Sequence, residues 1–198
     1  MKERIVSGMR PTGKLHFGHY LGVIQNWVEL QHKYDSYFFV ADWHALTTKY
    51  DKTETLKEDV IDVVIDWLSC GIDPEVSTIY VQSLVPEIAE LNVYLSMITP
   101  QNWVERDPCL KDMAKIIRSK DGAGAQINYG LMGYPVLMSA DIMMFNSNFV
   151  PVGSDQVAHI EITRDIARRF NNLYKSDFFI EPKPLLNHCA LICGLDGN

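Results

Sequence analysis

The sequence predicts an α/β fold with a doubly wound parallel sheet. Strand-length apolar segments alternate with helix-length amphipathic segments along most of the chain. The chain has 198 residues, of which 47% are hydrophobic, so it can bury one sizeable core. A turn rich in glycine and histidine also joins the first strand to the first helix, where open parallel sheets bind ligands. We therefore expect right-handed crossovers and a ligand site at the carboxyl ends of the strands.

The first βαβ unit is predicted from residues 5–43. Residues 5–7 form a short strand, and a helix follows from His16. The helix is indicated by apolar residues at helical spacing, namely Phe17, Tyr20, Leu21, Ile24, Trp27 and Val28. Residues 36–43 form a continuous apolar and aromatic run, which is typical of a strand covered on both faces.

The second βαβ unit is predicted from the next 55 or so residues. Thr53 or Thr55 can cap a helix that ends at Gly71. Its buried stripe consists of Leu56, Val60, Val63, Val64, Trp67 and Leu68. A third strand at residues 77–83 and a helix at residues 86–98 complete the unit.

The pattern breaks at residues 99 to about 130, which are rich in Pro, Asp, Lys and Gly. We interpret this segment as an insertion between two halves of the sheet. Its basic residues are Lys111, Lys115, Arg118 and Lys120, and a solvated helix face explains them about as well as a nucleic-acid contact. A helix at residues 134–145, a strand at 149–152, a helix at 154–170 and a segment reaching residue 192 follow.

Composition excludes several classes of protein. The net charge of −7, from 18 basic and 25 acidic residues, argues against a surface that tracks phosphate backbone throughout. The sequence contains neither an apolar run of the roughly 18 residues that a membrane span needs nor a signal peptide, so we expect a cytoplasmic protein without membrane contact. The cysteines are scattered, which favours buried free thiols over a disulfide or metal site: Cys70, Cys109, Cys189 and Cys193.

The turn GMRPTGKLHFGH follows the first strand and has the parts of a phosphate site. Gly13 and Gly18 permit close backbone approach, Thr12 offers a hydroxyl, and the new helix presents N–H groups. The turn matches neither G-x-x-x-x-G-K-[ST] nor G-x-G-x-x-G, which excludes a phosphate-loop ATPase and a dinucleotide dehydrogenase.

His16 and His19 are three residues apart and share one face of the first helical turn. Two imidazoles there can donate hydrogen bonds to phosphoryl oxygens as their charge grows during transfer. Taken alone, the pair also fits helix capping. Its position after the first strand favours the functional interpretation.

The HFGH segment resembles the HIGH signature of class I aminoacyl-tRNA synthetases, and residues 7–22 resemble the start of the tryptophanyl-tRNA synthetases among them. The resemblance implies a nucleotidyl-transfer domain that uses ATP with Mg²⁺. It implies catalytic roles for His16, His19 and Thr12. It implies ATP binding by Arg10, Thr12, Gly13, His16, Gly18 and His19. Phe17 replaces the usual Ile and is expected to pack as an apolar helix position.

Asp141 is a single carboxylate in the otherwise apolar segment GYPVLMSADIMMFN. A buried charge without a donor costs several kcal/mol, so Asp141 needs a core arginine, a backbone N–H or a ligand N–H such as that of an indole. Tyr134 and Met138 share its helix face. Tyrosyl-tRNA synthetases usually carry Gln at the Met138 position, so the resemblance favours tryptophan over tyrosine.

Two further stretches resemble the family. Residues 39–48 match the segment whose histidine lines the amino-acid pocket, which implies that role for His44, although a satisfied strand-end histidine is an alternative. Residues 150–156 match V-P-V-G-x-D-Q, which implies that Gly153 and Asp155 bind ribose and that Gln156 meets the substrate's ammonium or carboxylate. Ser154 is also a natural N-cap.

The resemblance implies that L-tryptophan is activated with ATP to tryptophanyl-adenylate and transferred to tRNA(Trp) by a homodimer. In the family, a stretch like residues 194–197 leads into K-M-S-K-S and an anticodon-binding domain. We therefore expect residues 1–198 to be a catalytic domain without those parts, with impaired activity. Alternatives are a tyrosyl-tRNA synthetase, another nucleotidylyltransferase, and a truncated non-catalytic ligand-binding paralogue.

Overall fold

The computed structural model describes residues 2–121 and 126–186, with the backbone alone at positions 114, 117, 118, 120, 121 and 155. In these ranges the strands are β1 (Arg4–Met9), β2 (Asp35–Val40), β3 (Thr78–Val81), β4 (Phe149–Val152) and β5 (Lys183–Leu186). They form one parallel sheet in the order β3-β2-β1-β4-β5. The order runs outward from β1 in both directions, which confirms the predicted doubly wound fold.

The helices of the described ranges lie between these strands. They are α1 (Phe17–His19), α2 (Gln25–Leu30), α3 (Asp42–Lys49), α4 (Leu56–Ser69), α5 (Glu87–Ile98), α6 (Gln101–Glu105), α7 (Pro108–Asp121), α8 (Tyr129–Met144) and α9 (Val157–Tyr174). A π-helical segment, Tyr20–Ile24, joins α1 to α2. In the described ranges no helix combines the length and apolar character needed to cross a bilayer.

The core lies on both faces of the sheet. On one face Trp27 stacks on Phe38 with ring centroids 4.6 Å apart and meets Trp67 edge-on at 5.1 Å. All three side chains are fully buried. On the other face α8 packs against α5 and α9, burying residues such as Leu95 and Ile166. Successive side chains along a strand therefore pack into different hydrophobic clusters on the two faces, as expected for a parallel sheet covered on both sides.

Two predicted core positions are wrong. Phe17 is 69% exposed and packs only loosely on Tyr20, with ring centroids 6.3 Å apart, because α1 is a turn of three residues that buries none of its side chains. Leu68 is 43% exposed near the end of α4, where Val63 and Trp67 supply the buried contacts. Helical spacing predicts the inner face correctly but not how far along the helix the covered surface extends.

Two predicted element ends and one predicted cap interaction also differ. The second strand stops at Val40, and α3 begins at Asp42, whose carboxylate accepts hydrogen bonds from the backbone N–H groups of Trp43 at 3.0 Å and Ser83 at 3.1 Å. Ser154 does not cap α9, since it lies in a short 3₁₀ helix and Gln156 occupies the N-cap position. Thr55 occupies the N-cap position of α4, but its hydroxyl donates to Asp59 at 3.1 Å.

The segment at residues 99–130 carries α6 and α7, which agrees with a helical insertion between the two halves of the sheet. Its status as a separate connective unit stays a prediction. Cys70 and Cys109 are partly buried and are not in disulfides. Cys189, Cys193 and the residues at 194–197 lie outside the described ranges.

Candidate active site

A cavity of about 520 Å³ opens at the carboxyl ends of the central strands. Its walls come from β1, α3, α8, β4 and the start of α9, and most of them are apolar. Seven residues that the sequence nominates line it together: Arg10, His44, Tyr134, Met138, Asp141, Gly153 and Gln156. The parallel topology explains this convergence, because the ends of β1, β2 and β4 meet at one edge.

Asp141 is fully buried at this cavity. Its carboxylate is 2.9 Å from Nε2 of His44 and accepts from Nε2 of Gln82 at 2.8 and 3.0 Å. In the described residues the hydrogen-bond donors to Asp141 are therefore the side chains of His44 and Gln82. The core arginine and the backbone N–H, two of the donors considered from the sequence, are wrong. Burial raises the pKa of Asp141, and the hydrogen bonds from His44 and Gln82 only partly offset it. A carboxylate offers about four acceptor positions, so capacity remains for a ligand donor.

Sequence reasoning missed Gln82, which is fully buried just after β3. Its side-chain oxygen accepts the backbone N–H of Trp43 at 3.1 Å while its nitrogen donates to Asp141. Gln82 thereby ties the start of α3 to α8 and fixes the carboxylate. The sequence feature that could have identified Gln82 is its position as a polar residue at the carboxyl end of a predicted parallel strand.

A second polar cluster surrounds His159, which also lines the cavity. Nε2 of this buried histidine lies 2.8 Å from Oδ2 of Asp107 and also contacts the hydroxyl of Tyr134. Nδ1 lies 2.8 Å from Oε1 of Gln156. An amide oxygen only accepts, so Nδ1 carries a proton and the orientation of the Gln156 amide is fixed. Sequence analysis identified neither Asp107 nor His159.

The environment of this cluster shifts two pKa values. Burial alone would raise the pKa of Asp107, but the hydrogen bond and charge of His159 outweigh it and lower that pKa. The pKa of Tyr134 is raised, first by burial and then by the neighbouring charge of Asp107. Asp107 is therefore the ionised member of the cluster, and Tyr134 remains a neutral phenol.

His16 and His19 cap the first helical turn and are also poised as donors. Nδ1 of His16 accepts the backbone N–H of Gly18 at 3.2 Å, and Nδ1 of His19 accepts the backbone N–H of His16 at 3.2 Å. Because Nδ1 accepts, the proton of each neutral ring is on Nε2. Burial and the neighbouring His16 lower the pKa of His19, which favours its neutral form. The capping and functional interpretations are thus compatible.

Arg10 connects this turn to the cavity. Its guanidinium donates to the hydroxyl of Thr48, and its buried Nε lacks a hydrogen-bond partner among the described residues. Burial lowers its pKa. A buried, unsatisfied guanidinium N–H at a cavity wall is suited to a bound anion.

The remaining turn residues do not line the cavity but follow Arg10 directly: Thr12, Gly13, His16, Gly18 and His19. Gly13 has a φ of 121°, a conformation that glycine adopts without steric cost. The backbone oxygen of Thr12 accepts from Nζ of Lys49 at 2.9 Å, which holds the turn against α3. The side chain of Asp155 lies outside the described part of the chain, so its ribose role stays a prediction.

Comparisons with known proteins agree with the sequence resemblance. The family model described as tRNA synthetases class I (W and Y) matches residues 2–198. A Tryptophan–tRNA ligase of Ralstonia nicotianae is 53% identical over 183 residues, covering 92% of this chain and 45% of the relative. One from Thermotoga maritima is 51% identical over 195 residues, covering 98% and 58%.

A solved structure gives the same result. The tryptophanyl-tRNA synthetase of Campylobacter jejuni, complexed with ADP and tryptophan, superimposes with a TM-score of 0.89 at 39% identity. The match covers 98% of this chain and 58% of that one. The chain therefore spans about half the length of several relatives that it matches.

Proposed function

The chain belongs to the class I tRNA synthetases of the tryptophan and tyrosine type, and on that premise we propose that it binds L-tryptophan and ATP with Mg²⁺ to form tryptophanyl-adenylate. The adenylate then transfers its aminoacyl group to tRNA(Trp). The observation that carries this proposal is Asp141, a fully buried carboxylate at an apolar cavity with capacity for one more donor. We propose that this activity takes place in the cytoplasm.

The amino-acid half of the proposal assigns the indole N–H to Asp141. Asp141 is held by His44 and Gln82, so it does not need to move to meet a ligand. Met138 lines the same cavity and offers a soft, polarisable surface to a flat ring. A site built around one hydrogen bond rejects an analogue that lacks the donor by up to about 10⁴ to 10⁵. Tyr134 closes the slot from the side of His159.

The nucleotide half of the proposal uses the opening turn. A substrate carboxylate oxygen attacks the α-phosphorus of ATP, the bond to the β-phosphate oxygen breaks, and pyrophosphate leaves with the electron pair. Nε2–H groups of His16 and His19 donate to the phosphoryl oxygens, and Nε of Arg10 meets the negative charge nearby. Thr12 offers its hydroxyl to the phosphates, and Gly13 and Gly18 allow the backbone to approach them closely.

The V-P-V-G-S-D-Q stretch completes the site. Gly153 and Asp155 are assigned to the ribose hydroxyls. The oxygen of Gln156 is engaged by His159 at 2.8 Å, so we assign its amide nitrogen, a donor, to the substrate carboxylate. This choice refines the alternative between ammonium and carboxylate that the sequence leaves open.

We expect L-tryptophan, but not L-tyrosine, to raise the unfolding temperature of the chain in a thermal-shift titration, with a further rise when ATP and Mg²⁺ are added. A larger shift with tyrosine would favour a tyrosyl-tRNA synthetase. Single-turnover adenylate formation separates the remaining alternatives. Nucleotide activation of another acid would indicate a different nucleotidylyltransferase, and tryptophan binding without any adenylate would indicate a non-catalytic paralogue.

We also propose that two copies of the chain associate through the surface around α5. Val93, Tyr94 and Met97 are large, exposed and close in sequence on this helix, and Leu84 is exposed just before it. A cluster of exposed apolar side chains of this kind is typical of a protein interface. The family resemblance implies that the segment around residues 80 to 130 lies near a dimer interface, and α5 falls within that segment.

Met97→Glu is expected to raise the dissociation constant of this dimer at least about tenfold, because it buries a charge in an apolar contact. Sedimentation equilibrium measures the change. Ile61→Glu is a matched control, since Ile61 is 59% exposed on α4 while Met97 is 74% exposed. A monomeric parent chain, or equal weakening by both substitutions, would contradict the proposed interface.

We also propose that basic residues of α7 approach the acceptor stem of the tRNA. Lys111 and Lys115 are exposed there, and Lys115 also pairs with Asp112 at 2.8 Å. The side chains of Arg118 and Lys120 lie outside the described part. With a net charge of −7, such a contact has to be local rather than spread over the surface.

A further inference from the structure

Three side chains of metal-binding type meet beside the cavity, where Cys109 and His159 line its wall. One oxygen of Asp107, Sγ of Cys109 and one ring nitrogen of His159 all lie within 4.8 Å of one another. Asp107 and His159 are buried, and Cys109 lines the cavity. In the proposed activity His159 orients Gln156, whereas Cys109 has no assigned role.

The helix α7 explains why the carboxylate and the thiol meet. Pro108 opens the helix, and Asp107 immediately before it accepts the backbone N–H of Cys109 through Oδ1 at 3.0 Å. Oδ2 of Asp107 faces His159 on α9, with a separation of 2.8 Å from Nε2. Oδ1 of Asp107 thus accepts a backbone N–H at the start of α7, and Oδ2 faces the imidazole of His159.

We propose that Asp107, Cys109 and His159 bind a thiophilic divalent cation of the Zn²⁺ class. Thiolate sulfur, imidazole nitrogen and carboxylate oxygen are the three ligand types that Zn²⁺ takes in proteins. Mg²⁺ and Ca²⁺ prefer oxygen-only sites, so the thiol and imidazole select against the cation that accompanies ATP. A site with three protein ligands also keeps one position open, here toward the cavity.

The separations between the donor atoms are close to those that such a cation requires. Tetrahedral Zn²⁺ with bonds of about 2.0 to 2.3 Å places its ligand atoms about 3.3 to 3.6 Å apart. The Nε2–Oδ2 distance of 2.8 Å is that of a proton-bridged pair, and the sulfur lies within 4.8 Å of both. Replacing the bridging proton by the cation therefore requires shifts of about 1 Å at side-chain atoms.

The position of the site predicts its effect. The Tyr134 hydroxyl contacts His159 and lies 3.3 Å from Oδ2 of Asp107. A cation bound through Nε2 of His159 leaves the contact between Nδ1 and Gln156 in place and occupies the part of the cavity wall that Cys109 and His159 line. Its binding therefore opposes occupation of the cavity by an amino acid, an effect that rests on the proposed function, whereas the cation site itself does not.

Cobalt titration tests the site, because Co²⁺ substitutes for Zn²⁺ and a thiolate ligand gives it a near-ultraviolet charge-transfer band. The background is Cys70→Ser, Cys189→Ser and Cys193→Ser, which leaves Cys109 as the single cysteine of the four. We expect one equivalent of Co²⁺ to produce the band, Zn²⁺ to abolish it and excess Mg²⁺ to leave it unchanged.

Adding Cys109→Ser to this background should remove the band and weaken Co²⁺ binding at least about tenfold. Asp107→Asn should weaken binding similarly, because the Asn oxygen still accepts the N–H of Cys109 while the second carboxylate oxygen is lost. A band that persists in Cys109→Ser, or no band in the single-cysteine chain, would overturn the site. Circular dichroism checks that each variant folds.

A tryptophan titration of the cobalt-loaded chain separates this proposal from the proposed function. Loss of the charge-transfer band on adding tryptophan would support both the cation site and the proposed binding of tryptophan in the cavity. A stable band with no tryptophan binding in the metal-free chain overturns the proposed substrate and leaves the cation site supported. Normal tryptophan binding in a chain that gives no cobalt band overturns the cation site alone.

Discussion

Asp141→Asn is expected to weaken tryptophan binding about 10- to 100-fold. A hydrogen bond to a charged group contributes about 1.5 to 3 kcal/mol, and the substitution replaces the ionised acceptor by a neutral amide of the same shape. The Asn side chain keeps the size of Asp141, and its oxygen can still accept from Nε2 of Gln82, whereas its nitrogen replaces the oxygen that meets Nε2 of His44. Isothermal titration calorimetry with L-tryptophan measures the change.

The same substitution has a distinctive effect on stability. The pKa of Asp141 is raised in the fold above its ordinary value of 3.8, mainly by burial. The folded state therefore holds this proton more tightly than the unfolded chain does. The contribution of Asp141 to stability is greatest at low pH and declines as pH rises through the folded pKa. Asp141→Asn should remove this decline, which thermal unfolding measured as a function of pH detects.

Asp62→Asn is a suitable control because it makes the same chemical change on α4, away from the cavity. It should leave the affinity for tryptophan unchanged. An Asp141→Asn chain that binds tryptophan normally would exclude Asp141 as the ligand acceptor. Weaker binding accompanied by a large loss of stability would instead make Asp141 a structural residue.

Much of the fold is predictable because each element follows from a local pattern. The strand at Phe149–Val152 has the predicted bounds, since a short apolar run there is delimited by Asn148 and Gly153. The π-helical segment Tyr20–Ile24 is not predictable in this way. Its apolar spacing fits an ordinary α-helix, and the wider hydrogen-bond pattern depends on contacts made elsewhere in the chain.

In the candidate site, too, the residues that stand out in their local sequence are predictable, and those that depend on distant partners are not. Asp141 is recognisable because a charge in an apolar helix is anomalous. Gln82 and Asp107 are ordinary residues in their own segments. They join the site through partners 59 and 52 residues away, respectively. Which of many polar side chains meets such a partner is decided by helix packing, which sequence periodicity does not specify.

His16→Asn and His19→Gln are each expected to slow adenylate formation about 100-fold, by removing an Nε2–H donor from the transition state. The substitutions are chosen to preserve the helix start. Asn is a favoured N-cap whose oxygen can replace Nδ1 of His16, and Gln at the third helical position can replace Nδ1 of His19 in a capping box. Stability and the affinity for tryptophan should therefore stay near those of the parent chain.

His16→Ala provides the decisive comparison, because it removes both the cap and the donor. It should slow adenylate formation by the same factor as His16→Asn and, in addition, lower the free energy of unfolding by about 1 kcal/mol. Single-turnover formation of tryptophanyl-adenylate and urea unfolding measure the two effects separately. If His16→Asn kept the parent rate while His16→Ala lost only stability, the histidines would be helix caps alone. A slow but fully stable His16→Asn variant would show that His16 has a catalytic role separate from capping. Both roles are compatible, because Nδ1 of each imidazole accepts the capping hydrogen bond and the proton on Nε2 is left to donate to a phosphoryl oxygen.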